Sequence, residues 1–346
     1  MLELSSPERA FERIEAYLHE RGFFAPGGEE LVADLYLGYG LSQPLRRGSS
    51  PAPPEPCPLP LAAVRERDSV ALSNYLLSPR IGPWERSWSQ DEYARAVAAV
   101  RGAIERGDVY QVNLVQHLSA PFEGDPEALA AALASFRPLA PFLAGDGWAI
   151  ASASPELFLA RCGSRVWTMP IKGTRPLGEH VEGEKDEAEH VMIVDLERND
   201  LSRVCKPGSV RWPELMAERE LAGVTHLVST VEGTLRDGVG LAQLLGATFP
   251  GGSVTGAPKV AALDEIARLE PVGRGASMGA LGVVRGNGDL QLALTIRTFA
   301  VAEERVHLWA GGGIVWDSDP HEEIEESWTK ARPLLAAIGA PAEVTA

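Results

Sequence analysis

The chain has 346 residues, 45% hydrophobic and 23% charged, which is enough to bury a large core as one domain or two. Its 32 basic and 48 acidic side chains leave a net charge of −16, which argues against nucleic acid or an anionic membrane as a partner and obliges any anionic substrate to find a local cationic pocket or a bridging metal. Cys57, Cys162 and Cys205 lie far apart without CxxC spacing, so thiolate zinc is excluded, and with no leader-like start and no run of about eighteen apolar residues the chain reads as cytoplasmic.

In chain order, Pro7 to Glu20 reads as a helix with Phe11, Ile14 and Leu18 at helical spacing. Arg46 to Pro60 is proline-rich and reads as a linker or surface excursion. Ser89 and Glu92 have capping-box spacing at the start of a helix running to Arg106, with Tyr93, Val97, Val100 and Ile104 on one stripe. Val109 to Leu118 is rich in β-formers, Asp125-Pro126 starts another helix, and strands are expected within Trp148 to Arg161 and Val166 to Ile171. Helices follow at Glu182 to Arg203, Gly240 to Thr248 and Pro258 to Leu269. A hairpin runs along Leu281 to Arg285, turns at Asn287-Gly288 and returns along Leu290 to Phe299. His307 to Val315 is a strand, and Asp319-Pro320 opens a last helix ending near Ala337. Hairpins occur as often as strand–helix alternation, so the expected class is α+β with antiparallel sheets and not a doubly wound parallel sheet. The expected division is an N-terminal region 1–88 belonging to the same fold, a catalytic region 89–338 and a tail 339–346.

Several places can carry chemistry. Asp186 and Glu189 are three residues apart, as are Glu323 and Glu326, and on a helix that spacing puts each pair on one face. Such pairs are either a solvated acidic face or two halves of a hard-cation site, for which oxygen donors favour magnesium over zinc. Lys330 shares the second face. Lys172, in MPIKGTRP, ends an expected strand and is either a turn lysine or, with its pKa lowered by desolvation, a nucleophilic amine. GGSVTGAPK is not a Walker loop, because Ala257-Pro258 interrupts it, but its glycines still point backbone donors at an anion. Gly311, Gly312 and Gly313 allow backbone to approach a ligand closely. On the return strand Gln291, Ala293, Thr295 and Arg297 share a small polar face, either a carboxylate-binding wall or solvent surface. His226 lies in a β-branched run, and Glu156 is the one carboxylate in the apolar stretch SASPELFL, where burial would raise its pKa and suit an acid.

Taken together and in order, YQVNL, SPELF, PIKGT, KDEAEH, MIVDLERNDL, VTHLVSTVEG, FPGGSVTGAPK, LTIRT, AGGGIVWDS and ESWTKAR resemble the blocks of the chorismate-utilising enzymes, from about Ser89 to Leu335. The resemblance implies that family's α+β fold, with packed antiparallel sheets and helices outside. Family members that form anthranilate usually carry alanine in place of Lys172 and read AGT-x-SGAPK where this chain has Gly252 to Lys259. Members that add water carry a lysine where this chain has Gln111. The pattern therefore resembles the branch that replaces the C4 hydroxyl of chorismate by an amine to give 4-amino-4-deoxychorismate, on the way to 4-aminobenzoate and folate.

The resemblance further implies a role for each matching residue. Lys172 would be the nucleophile, Glu156 the acid for the leaving hydroxyl, and His226 a polarising neighbour of the ring. Gln111, Gly173, Thr174, Arg297, the backbone of Gly311 to Gly313, and Lys330 would position the substrate. Magnesium would be held by Glu189 and Glu326, with Asp186 and Glu323 reaching it through water. No cysteine lies in the Gly-x-Cys-x-Gly elbow of a glutaminase, so a separate glutaminase subunit is expected to supply ammonia. Ser277 stands where relatives carry an aromatic residue, which is expected to leave one pocket wall open or refilled. The family's tryptophan-binding element is not found, so feedback by tryptophan is not expected.

Overall fold

The computed structural model describes residues 1–67, 79–176, 184–221, 224–340 and 344–345. Seven helices are found among them: α1 (Ala10–Glu20), α2 (Gln90–Glu105), α3 (Pro126–Ala132), α4 (Glu184–Ser202), α5 (Leu241–Thr248), α6 (Lys259–Leu269) and α7 (Pro320–Ala337). α2 begins as its sequence predicts: Ser89 Oγ accepts from Glu92 N at 3.3 Å and the Glu92 carboxylate accepts from Ser89 N at 2.7 Å. Its buried face is Tyr93, Ala96, Val97, Val100 and Ala103. α7 starts with Asp319 accepting from His321 N and Glu322 N and with Pro320 in the first turn. Among the described residues no helix is long and apolar enough to cross a membrane.

The strands form a ten-stranded and a nine-stranded sheet. The first runs, in spatial order, Leu2–Leu4, Ala62–Glu66, Val32–Leu37, Ala280–Arg285, Leu290–Leu294, Leu157–Cys162, Arg165–Met169, Val224–Thr234, Ile171–Pro176, with Arg211–Leu221 also paired to Val224–Thr234. The second runs Val344–Thr345, Trp84–Arg86, Gln111–Glu123, Arg305–Ile314, Thr298–Ala302, Trp148–Ser152, Phe142–Gly145, with Arg80–Ile81 and Gly256–Ala257 also on Gln111–Glu123. Pairing is antiparallel throughout except between Val344–Thr345 and Trp84–Arg86. The two sheets contribute to one apolar cluster, in which Tyr36 of the first and Trp148 of the second approach with ring centroids 6.0 Å apart. The expected α+β class with antiparallel sheets is what the chain adopts.

Two expected strands are in fact each divided between the sheets. Trp148 to Arg161 breaks at Ala153–Glu156: Trp148–Ser152 lies in the second sheet and Leu157–Cys162 in the first. Pro155 lies in the break, where a central strand cannot accept its missing N–H. Leu290 to Phe299 breaks at Thr295–Arg297, and the chain passes from the first sheet to the second. The shared polar face expected for Gln291, Ala293, Thr295 and Arg297 therefore does not exist. Gln291 is exposed, Ala293 is buried in the core, and Thr295 is buried, its hydroxyl bonding Ala276 O at 2.5 Å and Gly279 N at 2.8 Å.

Candidate active site

The two crossovers lie side by side. Ala153 N donates to Arg297 O at 3.0 Å and Leu294 N donates to Glu156 O at 3.0 Å, so the backbones that carry Arg297 and Glu156 are tied to one another. Arg297 has φ of 50°, a left-handed conformation uncommon outside glycine, which takes its side chain out of the strand's alternation. Among the described residues its guanidinium makes no hydrogen bond or ion pair, and burial lowers its pKa against the pull of Glu156. Glu156 is only 4% exposed and accepts the Ser253 hydroxyl at 2.6 Å. Burial raises its pKa, opposed by Ser253, Lys172 and Arg297, so the carboxyl keeps its proton more readily than an exposed glutamate. The rise with burial is the one its apolar stretch of sequence predicts.

Lys172 reaches the same place from the first sheet. Its ammonium donates to Glu189 Oε1 of α4 at 2.7 Å, and Gln111 Nε2, from the second sheet, donates to that same oxygen at 2.8 Å. The desolvation expected to lower the Lys172 pKa is present, but Glu189, and farther away Glu156 and Glu326, outweigh it and raise the pKa. The expectation of a free amine is thus corrected: Lys172 rests as an ammonium because Glu189 neutralises it in place. Gly173, next to it, has φ of 59°, and its carbonyl oxygen lies 2.7 Å from His226 Nδ1, which fixes that nitrogen as the protonated one. His226 is buried, and burial, with Arg297 and Lys330 nearby, lowers its pKa to about 4, so the ring is neutral.

α7 closes the site from the other side. Lys330 Nζ donates to Gly311 O at 2.9 Å and to Glu326 Oε1 at 2.6 Å. A Cβ placed on Gly312 would lie 3.2 Å from Glu326 Oε1, 3.3 Å from Glu323 Oε2 and 3.4 Å from Lys330 Nζ. One on Gly313 would lie 2.6 Å from Glu189 Oε1 and overlap Gln111 Nε2. Gly312 and Gly313 thus lack a Cβ where one would crowd the carboxylates of the two acidic helices. Gly311 answers to packing, because a Cβ there would overlap Leu114 O of the neighbouring strand.

The structure brings together Lys172, Glu189, Gln111, Gly313, Gly312, Glu323, Glu326 and Lys330, with Glu156, Arg297, Gly173 and His226 linked to them through Lys172. The side chains of Thr174 and Asp186 lie outside the described residues. Among the described residues no three His, Cys, Asp or Glu side chains close into a metal cage. Around Gly312 and Gly313 the oxygens of Glu323, Glu326 and Glu189, donors of the kind a hard divalent cation takes, stand beside Lys330 Nζ and Gln111 Nε2. These residues fit magnesium, with Asp186 three residues before Glu189 on α4.

Ser253 is a site residue that no motif singled out beyond its loop, and only the fold brings its hydroxyl to Glu156. The one backbone donor of this loop that meets a carboxyl meets one of the chain's own among the described residues: Gly252 N donates to Glu197 Oε1 at 3.1 Å. Ser277 is 1% exposed and its hydroxyl has no hydrogen-bond partner among the described residues, so this side chain is enclosed and does not border an open gap.

Residues 55–336 match the family described as chorismate binding enzyme. The chain belongs to that family. It is 42% identical over 270 residues to the anthranilate synthase component 1 of Thermus thermophilus, covering 74% of this chain and 58% of that protein. It is 40% identical over 265 residues to the aminodeoxychorismate synthase component 1 of Klebsiella aerogenes, covering 73% and 59%. The chain thus spans less than two thirds of the length of these relatives. Among solved structures, anthranilate synthase component I from Streptococcus pneumoniae superposes with a TM-score of 0.77 at 27% identity, covering 87% of this chain and 80% of that one. The isochorismate synthase MenF of Escherichia coli shares the fold with a TM-score of 0.73 at 19% identity, covering 98% and 84%. The crossovers, the glycine strand and the two acidic helices make up the candidate active site of this family member.

Proposed function

We propose that the protein converts chorismate and ammonia to 4-amino-4-deoxychorismate, with Lys172 as the nucleophile. The observation that carries this reading is the placement of Lys172. Its ammonium is held by Glu189 inside the site, with the buried carboxyl of Glu156 and the guanidinium of Arg297, which has no bonding partner among the described residues, close enough to shift one another's titration. The Lys172 amine forms a bond to C2 of chorismate while the C4–O bond breaks and Glu156 gives its proton to the departing oxygen as water. Ammonia then bonds to C4 and the C2–N bond to Lys172 breaks, so one ammonia enters and one water leaves.

Arg297 and Lys330 offer cations to the two carboxylates, and the neutral His226, holding its proton at Nδ1 toward Gly173 O, keeps that corner of the ring pocket free of extra charge. Glu189, Glu326, Glu323 and Asp186 are the residues that would hold magnesium, whose charge serves to bind and polarise the ring carboxylate. The ammonium in which Lys172 rests must first lose one proton to solvent, and it regains one after the C2–N bond breaks. Ammonia is proposed to come from a glutaminase partner. The relatives' names, each a component 1, support a partner, and ammonium salts should replace it less efficiently.

Anthranilate formation is the second reading, favoured by the 42% identity to a relative of that name. Incubation with chorismate, magnesium and ammonium, followed by identification of the product, separates the two. A 4-amino-4-deoxychorismate product supports the proposal, while anthranilate or no turnover defeats it.

A further inference from the structure

The last torsion of a glutamate side chain is broad, so the plane of a buried carboxyl is set by the donors around it and not by its own strand. Glu156 has two such donors. One is the amide of Ile171, the residue before Lys172. The other is the Ser253 hydroxyl, which donates to Glu156 Oε1 at 2.6 Å and is, among the described residues, the only side chain that hydrogen-bonds this carboxyl. Lys172 and Arg297 act on it as nearby charges. Glu156 and Ser253 are 4% and 5% exposed, which leaves water little access to stand in for the hydroxyl.

Ser253 belongs to neither sheet. It lies in the turn Gly252–Val254 between α5 and α6, and that turn is braced from several directions. Gly252 N donates to Glu197 Oε1 of α4 at 3.1 Å, and the Arg274 guanidinium donates to Val254 O at 2.9 Å. Thr255 closes the turn, its N donating to Gly252 O at 3.1 Å and its hydroxyl to Gly251 O at 2.9 Å, while Asn113 N of the second sheet donates to Thr255 O at 2.9 Å. A Cβ on Gly251 would lie 2.9 Å from Leu294 Cδ2, and one on Gly252 would lie 2.6 Å from Leu196 Cδ2, so the backbone is pressed against the first sheet and α4. A hydroxyl carried on so constrained a turn is a fixed reference for a side chain whose final torsion is free.

We propose that Ser253 is a positioning residue for Glu156: its hydroxyl, delivered by the braced turn, sets the plane of the carboxyl so that the acid faces the departing C4 hydroxyl of chorismate. The proposal rests on Glu156 acting as the acid of the reaction proposed above. A proton on a carboxyl lies in the carboxyl plane, so a carboxyl that has lost its Ser253 bond rotates away from the one geometry that delivers it.

Ser253→Ala removes one oxygen and leaves the turn's own hydrogen bonds in place. With ammonium and magnesium present, kcat for chorismate consumption should fall about 10–100-fold with KM little altered. The double variant Ser253→Ala/Glu156→Ala should be no slower than Glu156→Ala alone, because Ser253 then has no acid to hold. An unchanged kcat in Ser253→Ala overturns the proposal, and so does a loss by the same factor in the Glu156→Ala background, which is what a merely structural role predicts. A readout without turnover is the infrared carbonyl stretch of the Glu156 carboxyl, taken at a pH low enough to protonate it and assigned by its absence in Glu156→Ala. Loss of a donor to the carbonyl oxygen should move this band to higher wavenumber in Ser253→Ala, and an unmoved band overturns the proposal. Anthranilate as the parent's product defeats the proposed product but leaves the Ser253 test intact, because anthranilate too has lost the C4 hydroxyl. If the parent consumes no chorismate and the band still moves, the proposed reaction fails while the hold of Ser253 on Glu156 stands.

Discussion

Two of the buried cation–carboxylate clusters in this molecule differ in how completely they are satisfied. At Arg274 the guanidinium donates to both oxygens of Glu270, to Val254 O and to Asn113 O, and Glu270 also accepts from Val115 N. Both side chains are almost fully enclosed, at 1% and 2% exposure, and Tyr39 stacks on the guanidinium with 4.5 Å from its carbon to the ring centroid. At Lys172 one ammonium meets one carboxylate oxygen that is shared with Gln111, more carboxylates stand nearby than cations, and both side chains keep 13% exposure. The closed cluster leaves nothing for a ligand to bond, whereas beside the open one the guanidinium of Arg297 has no bonding partner among the described residues. The two ion pairs thus differ in unspent bonding capacity.

The comparison breaks most visibly at Lys172. Lys172→Ala should abolish turnover of chorismate while shifting the melting temperature less than the corresponding change at Arg274, as product assay and thermal unfolding would report. An active Lys172→Ala would remove the nucleophile and with it the functional half of the contrast. Arg274→Ala should cost about 3–5 kcal/mol of stability, because Glu270 is left buried without its partner. The double variant Arg274→Met/Glu270→Leu should recover most of that loss in denaturant titrations. A mild effect of the single variant would mean that the closed cluster contributes little.

A smaller effect lies in the histidines. Burial is the main cause that lowers the pKa of His117 to about 3 and of His190, His226 and His307 to about 4, with His307 also acting on His117. His117 Nε2 and His307 Nδ1 are 3.0 Å apart, so the pair shares one proton between the rings, and a second would put like charges in contact. Unfolded histidines protonate near 6.5, so below that value the unfolded chain binds more protons than the folded one. Their contribution to stability is therefore complete above about pH 6.5 and is lost as pH falls toward 4. The raised carboxyl of Glu197 acts with the opposite sign, its contribution being lost as pH rises through about 8. His117→Gln/His307→Gln should accordingly lose less stability than the parent between pH 7 and 4.5, as melting temperatures across that range would show; equal losses would contradict the pKa assignment.

Much of the scaffold was legible because local signals agreed with tertiary demand. The Ser89–Glu92 box, the Asp125-Pro126 and Asp319-Pro320 starts and the Asn287-Gly288 hairpin all mark elements that the chain adopts at those places. The first crossover had a signal in Pro155, which cannot serve a central strand. The second had none: Thr295, Ile296 and Arg297 are ordinary strand residues, and the left-handed turn at Arg297 is imposed by passage between two sheets. The long pairing of Arg211–Leu221 with Val224–Thr234 was also hidden, its first strand being broken by register shifts near Glu214 that erase alternation. In the site, carboxylates at helical spacing and the glycine run could be read directly, since Gly312 and Gly313 have a steric reason to lack Cβ. The charge state of Lys172 could not, because it depends on Glu189, seventeen residues away and on another element.

The central claim is that the Lys172 amine bonds covalently to chorismate on the way to an aminated product. The direct test is mass spectrometry of the intact protein, quenched during turnover with chorismate and magnesium and mapped by peptide. The account predicts an adduct of the dehydrated substrate on Lys172 that disappears when ammonium is added and gives 4-amino-4-deoxychorismate. Anthranilate as the product, or aminodeoxychorismate formed at full rate with Lys172 never modified, would contradict it.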